Sequence, residues 1–331
     1  MSKNPIPIAT TRTLALCLAV IALPLAAFSQ PSPNSRGKRF GWQIGVGNPN
    51  AAVSNAMSFK DFALPSSIYN TGAWPTDINT NGVVCGYFVD ANGELNGFVG
   101  TGSAYTILPA VTPFGIADDG TVAGYDNAEG TFIYKNGVTT TIPYSTYRSI
   151  SQQGTVLYYD NFEMRDYTWK DGVTTLVSYP TPPAGVYQLG GWDLNSKGDM
   201  LVTLYYQDHI DFVLLTNGAY VPLPPLPMAS GATGGMSSAT LLDNGTMLFT
   251  VIENTINSTA TVVTTAYKAY ILQGDTYIPL HSATDPTGLY SMTAVNGSVN
   301  ALGLPFITGV YYSAASGTYK PYLAGPSTAN F

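Results

Sequence analysis

The sequence is poorest in the side chains that most often carry enzyme chemistry. Its 331 residues include two histidines and two cysteines. His209 and His281 are too few for a multi-histidine metal centre. Cys17 falls in an apolar N-terminal segment, so Cys85 stands alone in the remainder and an intramolecular disulfide is excluded there. Cys85 lies within Val83-Val84-Cys85-Gly86-Tyr87, the setting of a small buried thiol. Charge is scarce as well: 10% of residues are charged, against about 25% in ordinary globular chains. The polar surface must come instead from Ser, Thr, Asn, Gly and Tyr.

Standard catalytic motifs are missing. There is no Gly-x-Ser-x-Gly elbow, no His-Glu-x-x-His, no Cys-x-x-Cys and no phosphate-binding glycine loop. Gly45-Val46-Gly47 begins like a dinucleotide fingerprint, but Asn50 takes the third glycine's place and no helical pattern follows. No segment beyond the N-terminus has a helical period, and glycine and proline recur too often for long helices. No later run is long and apolar enough to cross a membrane.

The first 29 residues have the three parts of a secretory signal peptide. Lys3 and Arg12 give a basic start, Leu14 to Phe28 is apolar, and Ala27 and Ser29 frame a cleavage before Gln30. The expected organisation is a signal peptide over 1–29, a disordered leader over 30–38 and one repeat domain over 39–331. Lys3 and Arg12 account for two of the 13 basic residues, so the exported chain carries 11 bases against 20 acids, a net charge near −9. That balance argues against nucleic acid and anionic membrane surfaces as partners.

What the sequence does contain is a repeat. Its first half is an apolar residue, a polar turn ending in glycine, and a strand. The copies begin at Ile78, Ile116, Ile150, Leu194 and Leu241, with a looser sixth over Ala294–Val299. Their glycines, 82, 120, 154, 198, 245 and 297, are 38, 34, 44, 47 and 52 residues apart. The second half is a strand with an aromatic centre, a second glycine turn, and a strand ending near Leu-Pro or Ile-Pro, as in Phe132-Ile133-Tyr134, Asn136-Gly137 and Ile142-Pro143. Each repeat thus supplies four short strands, a to d, with glycine hairpins joining a to b and c to d.

Ordering some 40 residues costs roughly 1–2 kcal/mol each. Three or four buried large side chains return only about 1.5–3 kcal/mol apiece, so the copies must pack on one another. The expected fold is all-β, a β-propeller of about six four-stranded blades, with seven as the alternative. The last copy lacks its final strand, and Phe59–Pro65 reads as that strand, pairing into the last blade to close the ring. Phe40 to Val46 is either a further strand there or part of a degenerate seventh blade.

Between residues 75 and 325 the pattern resembles the HAF-repeat proteins, a family of bacterial extracellular proteins. The resemblance rests on the Ile-Asn-x-x-Gly half, the Phe-Ile-Tyr or Tyr-Ile-Leu half and the glycine turn after it. The family's His-Ala-Phe triplet is replaced here by Asn96-Gly97-Phe98, Gly130-Thr131-Phe132 and Lys268-Ala269-Tyr270. The resemblance implies export and a repeat architecture, with no catalytic residues to carry over.

In an up-and-down blade the a–b and c–d turns share one face of the ring, and the b–c loops and d–a links share the other. We call these the turn face and the link face. The b–c loops are expected to vary most, the longest being the Thr-rich stretch from about Glu253 to Ala266. The link face also gathers acid: Asp90, Glu94, Asp126, Glu129, Asp160, Glu163, Asp166, Asp208, Asp211 and Glu253. Within it, Asp208-His209-Ile210-Asp211 is the best acid–base candidate. Asp90-Ala91-Asn92-Gly93-Glu94 resembles half of a calcium loop, but it is too short and its glutamate comes too early for the full spacing, so an Asx-rich hairpin is the expected reading and calcium the weaker alternative. No other cofactor is implied.

The expected binding residues are therefore Asp90, Glu94, Asp126, Glu129, Asp160, Glu163, Asp208, His209 and Asp211. The first functional expectation is an exported, non-catalytic scaffold that binds an extracellular protein, glycan or surface component through this face. The rivals are a carboxylate-based glycan hydrolase or lyase and a structural envelope or matrix protein. An enzyme needs two carboxyl groups converging at about 5–10 Å with a perturbed pKa. A binder needs an exposed aromatic or acidic patch without that convergence.

Overall fold

A computed structural model describes residues 57–68, 72–126, 130–256, 262–280, 292–299, 305–313 and 316–326. The signal peptide, the leader, Phe40–Val46, His281 and Glu129 lie outside the described residues. The chain opens with β1 (Met57–Asp61). Blade 1 follows as β2 (Ala73–Ile78), β3 (Val84–Val89), β4 (Leu95–Thr101) and β5 (Ala104–Leu108). Blade 2 is β6 (Val111–Ile116), β7 (Val122–Asp126), β8 (Gly130–Lys135) and β9 (Val138–Pro143). Blade 3 is β10 (Ser145–Ile150), β11 (Val156–Asp160), β12 (Arg165–Lys170) and β13 (Val173–Leu176). Blade 4 is β14 (Gln188–Leu194), β15 (Met200–Tyr205), β16 (Ile210–Thr216) and β17 (Ala219–Pro222). Blade 5 is β18 (Thr233–Leu241), β19 (Met247–Ile256), β20 (Val262–Gln273) and β21 (Thr276–Pro279). Blade 6 takes β22 (Met292–Val299), β23 (Pro305–Ser313) and β24 (Thr318–Pro326), and β1 completes it in the order β1-β24-β23-β22.

Six antiparallel four-stranded sheets arranged in this way form a six-bladed β-propeller. The first strands of the blades neighbour one another in sequence, and β22 returns to β2, so the ring is closed. The closing strand is the one expected, shifted slightly toward the N-terminus. Met57 pairs with Pro326 and Asp61 with Tyr322, and the Phe62 amide adds a bond to the Pro321 carbonyl at 3.0 Å. The Tyr311 hydroxyl donates to Asp61 at 2.7 Å. Pairing β1 beside β24 gives blade 6 the fourth strand that the other five blades draw from their own repeats.

The core lies between blades rather than within them, as the weakness of a single repeat requires. Phe62, Ile78 and Phe98 pack with Phe306 and Leu323 across the closure. Cys85 packs with Val122 and Phe132 between blades 1 and 2, and Ile133 with Tyr147 and Val156 between 2 and 3. Leu157 meets Leu194 and Val202 next, then Leu201 meets Phe249. Leu248 and Ile271 with Ile307 and Tyr322 close the circuit. Cys85 is a free, buried thiol.

The turns follow the sequence signals closely. In the a–b loop of blade 2 the Gly120 amide bonds back to Ala117 at 3.1 Å, and Gly120 has φ +82°, a region that disfavours any side chain. In the c–d hairpin Asn136 and Gly137 both have positive φ, 53° and 81°, as a type I′ turn requires.

Two expectations about the repeat need correction. Gly297 is not the sixth a–b glycine: it lies inside β22, paired with Ile307. Matching Ser298↔Phe306 to Asp77↔Cys85 moves that turn to 300–304, outside the described residues. The b–c loops also do not differ greatly in length. Connections 90–94, 161–164 and 206–209 are all short, and in the Thr-rich stretch residues 253–256 and 262–266 are strand, with Glu253 paired to Ala266 and Asn254 to Thr265. Its β-branched residues extend the ladder instead of looping out. Variation on the link face comes from the d–a links, from the single residue 144 to the stretches 177–187 and 223–232.

Candidate functional site

Of the expected acids on the link face, Asp90, Asp126, Asp160 and Glu163 are held by groups of their own blades. Asp90 Oδ1 accepts the amides of Asn92 and Glu94 at 2.8 and 2.9 Å, and Oδ2 accepts the Asn96 side chain at 3.1 Å. This is the Asx hairpin, with Glu94 exposed at its end. Asp126 accepts the Thr141 hydroxyl at 3.1 Å. Asp160 Oδ1 accepts the amides of Phe162 and Glu163, each at 2.8 Å. Glu163 accepts the Tyr167 hydroxyl, and that bond raises the Tyr167 pKa.

Asp166 and Glu253 are buried and leave the acidic surface altogether. Asp166 accepts Tyr179 at 2.6 Å and the Gly191 amide at 2.7 Å, tying blade 3 to blade 4. Glu253 pairs with Lys268 and accepts the Ala229 amide at 2.9 Å, which pins the 223–232 link.

The Asp208–His209–Asp211 cluster is assembled. Nδ1 of His209 lies 2.7 Å from Asp208, and Nε2 lies 3.6 Å from Asp211. The imidazole stacks on Tyr206, with centroids 4.2 Å apart and planes 6° from parallel. The hydrogen bond to His209 holds the exposed Asp208 carboxyl below its usual range. The imidazole fills the space between the two carboxylates.

Beside these acids is an apolar feature that the sequence reading missed. Tyr144, Phe162 and Met164 are 63%, 74% and 71% exposed. Tyr144 is the whole link between β9 and β10, with φ +55°. Phe162 and Met164 stand in the b–c connection of blade 3. Tyr144 and Phe162 meet edge to face at 4.9 Å, and the Asn161 amide donates to the Tyr144 carbonyl at 3.1 Å. Large apolar side chains in a four-residue connection, Asn161-Phe162-Glu163-Met164, were the available signal. Of the other link-face tyrosines, Tyr158 is core, Tyr159 carries Arg148 over its ring at 5.4 Å, and Tyr205 lies against Tyr187.

A second constellation sits on the ring axis near the turn face. The last-but-one residues of the six inner strands are Asp77, Gly115, Ser149, Asp193, Thr240 and Ser298. Asp77 and Asp193 are buried three blades apart and line one cavity of about 20 Å³, to which all six blades contribute. The Ile78 and Ile116 amides donate to Asp77, both at 2.8 Å. The Leu194 and Leu241 amides donate to Asp193 at 2.8 and 2.6 Å. Burial pushes Asp77 well above the usual carboxylate range and Asp193 up to about 7, despite these amides. Turn-to-turn bonds surround the site: Thr80 to Asp118 at 3.0 Å, Gln152 to Asp118 at 3.0 Å and Ser196 to Asp243 at 2.7 Å.

No family model matches the chain, and neither does any curated protein. Solved structures do. A mutant of AofleA from Arthrobotrys oligospora is 12% identical, covering 81% of this chain and 86% of that one at a TM-score of 0.40. The Aleuria aurantia lectin, described as a six-bladed β-propeller with a novel fucose recognition mode, is 12% identical over 81% of this chain and 92% of its own, at 0.37. An ulvan lyase is 10% identical over 75% and 79%, at 0.38. At such identities and scores no ligand or chemistry transfers from them to this chain.

Proposed function

We propose that the protein is an exported, non-catalytic scaffold that captures a glycan on its link face, at the Tyr144–Phe162 pair of blade 3. The observation that carries this is an edge-to-face aromatic pair, 63% and 74% exposed, bordered by Asp160, Asn161 and Glu163. An exposed ring offers a flat apolar surface to the C–H face of a sugar, and neighbouring carboxylate and amide groups accept its hydroxyls. Backbone-fixed Asp160 and one-residue Tyr144 hold the pair with little freedom to lose on binding.

The hydrolase or lyase reading has less support. Link-face carboxylates such as Asp90 and Asp160 serve their own hairpins. The pair with raised pKa values lines a cavity of about 20 Å³, room for water or an ion but not for a sugar ring. Export rests on the N-terminal signal pattern and the HAF-repeat resemblance.

A glycan array probed with the wild type and with Phe162→Ala tests the reading. Retention of one glycan class by the wild type, reduced at least tenfold in the variant at unchanged melting temperature, is expected. Retention unaffected by Phe162→Ala moves the site elsewhere. Turnover of the retained glycan, lost on His209→Ala, would instead favour the enzyme.

A further inference from the structure

Two buried carboxylates, Asp77 and Asp193, line the axial cavity together with the half-buried Asp243, and among the described residues no Lys, Arg or His lines it. Asp77 is 4% exposed and Asp193 6%. Each of their four oxygens accepts one backbone amide at 2.6–2.8 Å. A carboxylate has about four lone-pair positions, so each retains acceptor capacity after its two amides. A third group is independent of the acids. The Ser298 hydroxyl, on the inner strand of blade 6, lines the same cavity, is 4% exposed and has no hydrogen-bond partner. Burying a hydroxyl without a hydrogen bond is unfavourable, and a bound species would relieve it.

Uncompensated buried acids are costly, yet this arrangement fixes them with amides rather than hiding them in apolar packing. The donor set is all oxygen, which excludes zinc-type coordination by nitrogen and sulfur. Room for one or two waters in the cavity suits a cation that takes mixed carboxylate, hydroxyl and water ligands in flexible geometry. A divalent charge balances the two buried acids, while the half-buried Asp243, which accepts the Ser196 amide, adds to the negative potential of the cavity.

We propose that the axial cavity binds one oxygen-preferring divalent cation of the calcium type, held by Asp77 and Asp193 with the Ser298 hydroxyl. The site joins blade 1 to blade 4 across the ring, and its two acids already clasp blades 2 and 5 through Ile116 and Leu241. Cation binding therefore bears on ring stability and is separate from the link face.

The test is calorimetric titration of the chelator-treated protein with calcium chloride, with melting curves in calcium and in chelator. One calcium per chain and a higher melting temperature in calcium are expected. Asp77→Asn and Asp193→Asn should each weaken binding at least 100-fold. Ser298→Ala should fold normally and weaken it roughly three- to tenfold, which keeps the test decisive where an acid variant fails to fold. No calcium binding by the wild type overturns the proposal. So does calcium binding that Asp90→Asn abolishes while Asp193→Asn and Ser298→Ala leave it intact.

Discussion

The Leu241 amide of blade 5 donates to the Asp193 carboxylate of blade 4 at 2.6 Å, and the same bond recurs three blades away between Ile116 and Asp77. An acid in this position of the repeat stitches one inner strand to the next at the point where six blades meet. The stitch is made by groups whose ionisation is opposed by burial, so its strength depends on pH.

Without divalent cations, Asp193 should make the native state bind more protons than the unfolded chain. Its unfolded pKa is about 3.9 and its folded value about 7. The stabilisation is full below pH 4 and is lost as pH rises through 7. Denaturant unfolding of the wild type and Asp193→Asn in chelator should show it. The wild type's stability relative to the variant should fall from pH 4 to pH 7, by an amount on the order of 4 kcal/mol. A pH-independent difference would remove Asp193 from this role.

The ring closure is tested at Phe62, which follows the closing strand. Its ring lies 5.6 Å from Phe98 and is 8% exposed. Phe62→Ala should cost about 3–5 kcal/mol in urea unfolding. Val138→Ala, at a position 64% exposed on an outer strand, should change stability by about 0.5 kcal/mol or less.

Much of this fold was legible because its punctuation is local. Asn136-Gly137 and Gly120 in the loop 117–121 demand positive φ, and that demand is readable from residue type alone. The closure by residues near Phe59 was legible from strand counting. What escaped was set by packing. Thr264 and Thr265 read as loop because they are polar, yet opposite Thr255 and Asn254 they extend a ladder. Asn296-Gly297 mimicked the turn motif while sitting in β22. Most of the expected acids lie on the link face, but Asp166 and Glu253 turned inward to Tyr179 and Lys268. Asp77 and Asp193 escaped because only an alignment of the six inner strands shows that acids take the same place in two opposite blades.

Gly124 marks another packing constraint. It lies beside the irregularity between Pro113 and Gly115 in blade 2, and a Cβ there would sit 2.1 Å from the Thr112 carbonyl oxygen. Gly124→Ala should therefore destabilise by about 1–3 kcal/mol or more, read as a lower melting temperature. Gly93→Ala meets no atom within 4 Å and pays only for its positive φ, so it should cost less.

Export makes a simple prediction. The protein recovered from outside the cytoplasm should have lost residues 1–29 and begin at Gln30, as intact-mass spectrometry would show. A mass that retains Lys3 and Arg12 would contradict it.

If the link face does the binding, hydrogen–deuterium exchange will locate it. The chain is compared with and without an oligosaccharide of the class retained on the array. Slowed exchange confined to 144–146 and 160–167 is the predicted result. Protection at the a–b turns 79–83, 117–121 and 151–155 instead, or none on either face, would contradict it.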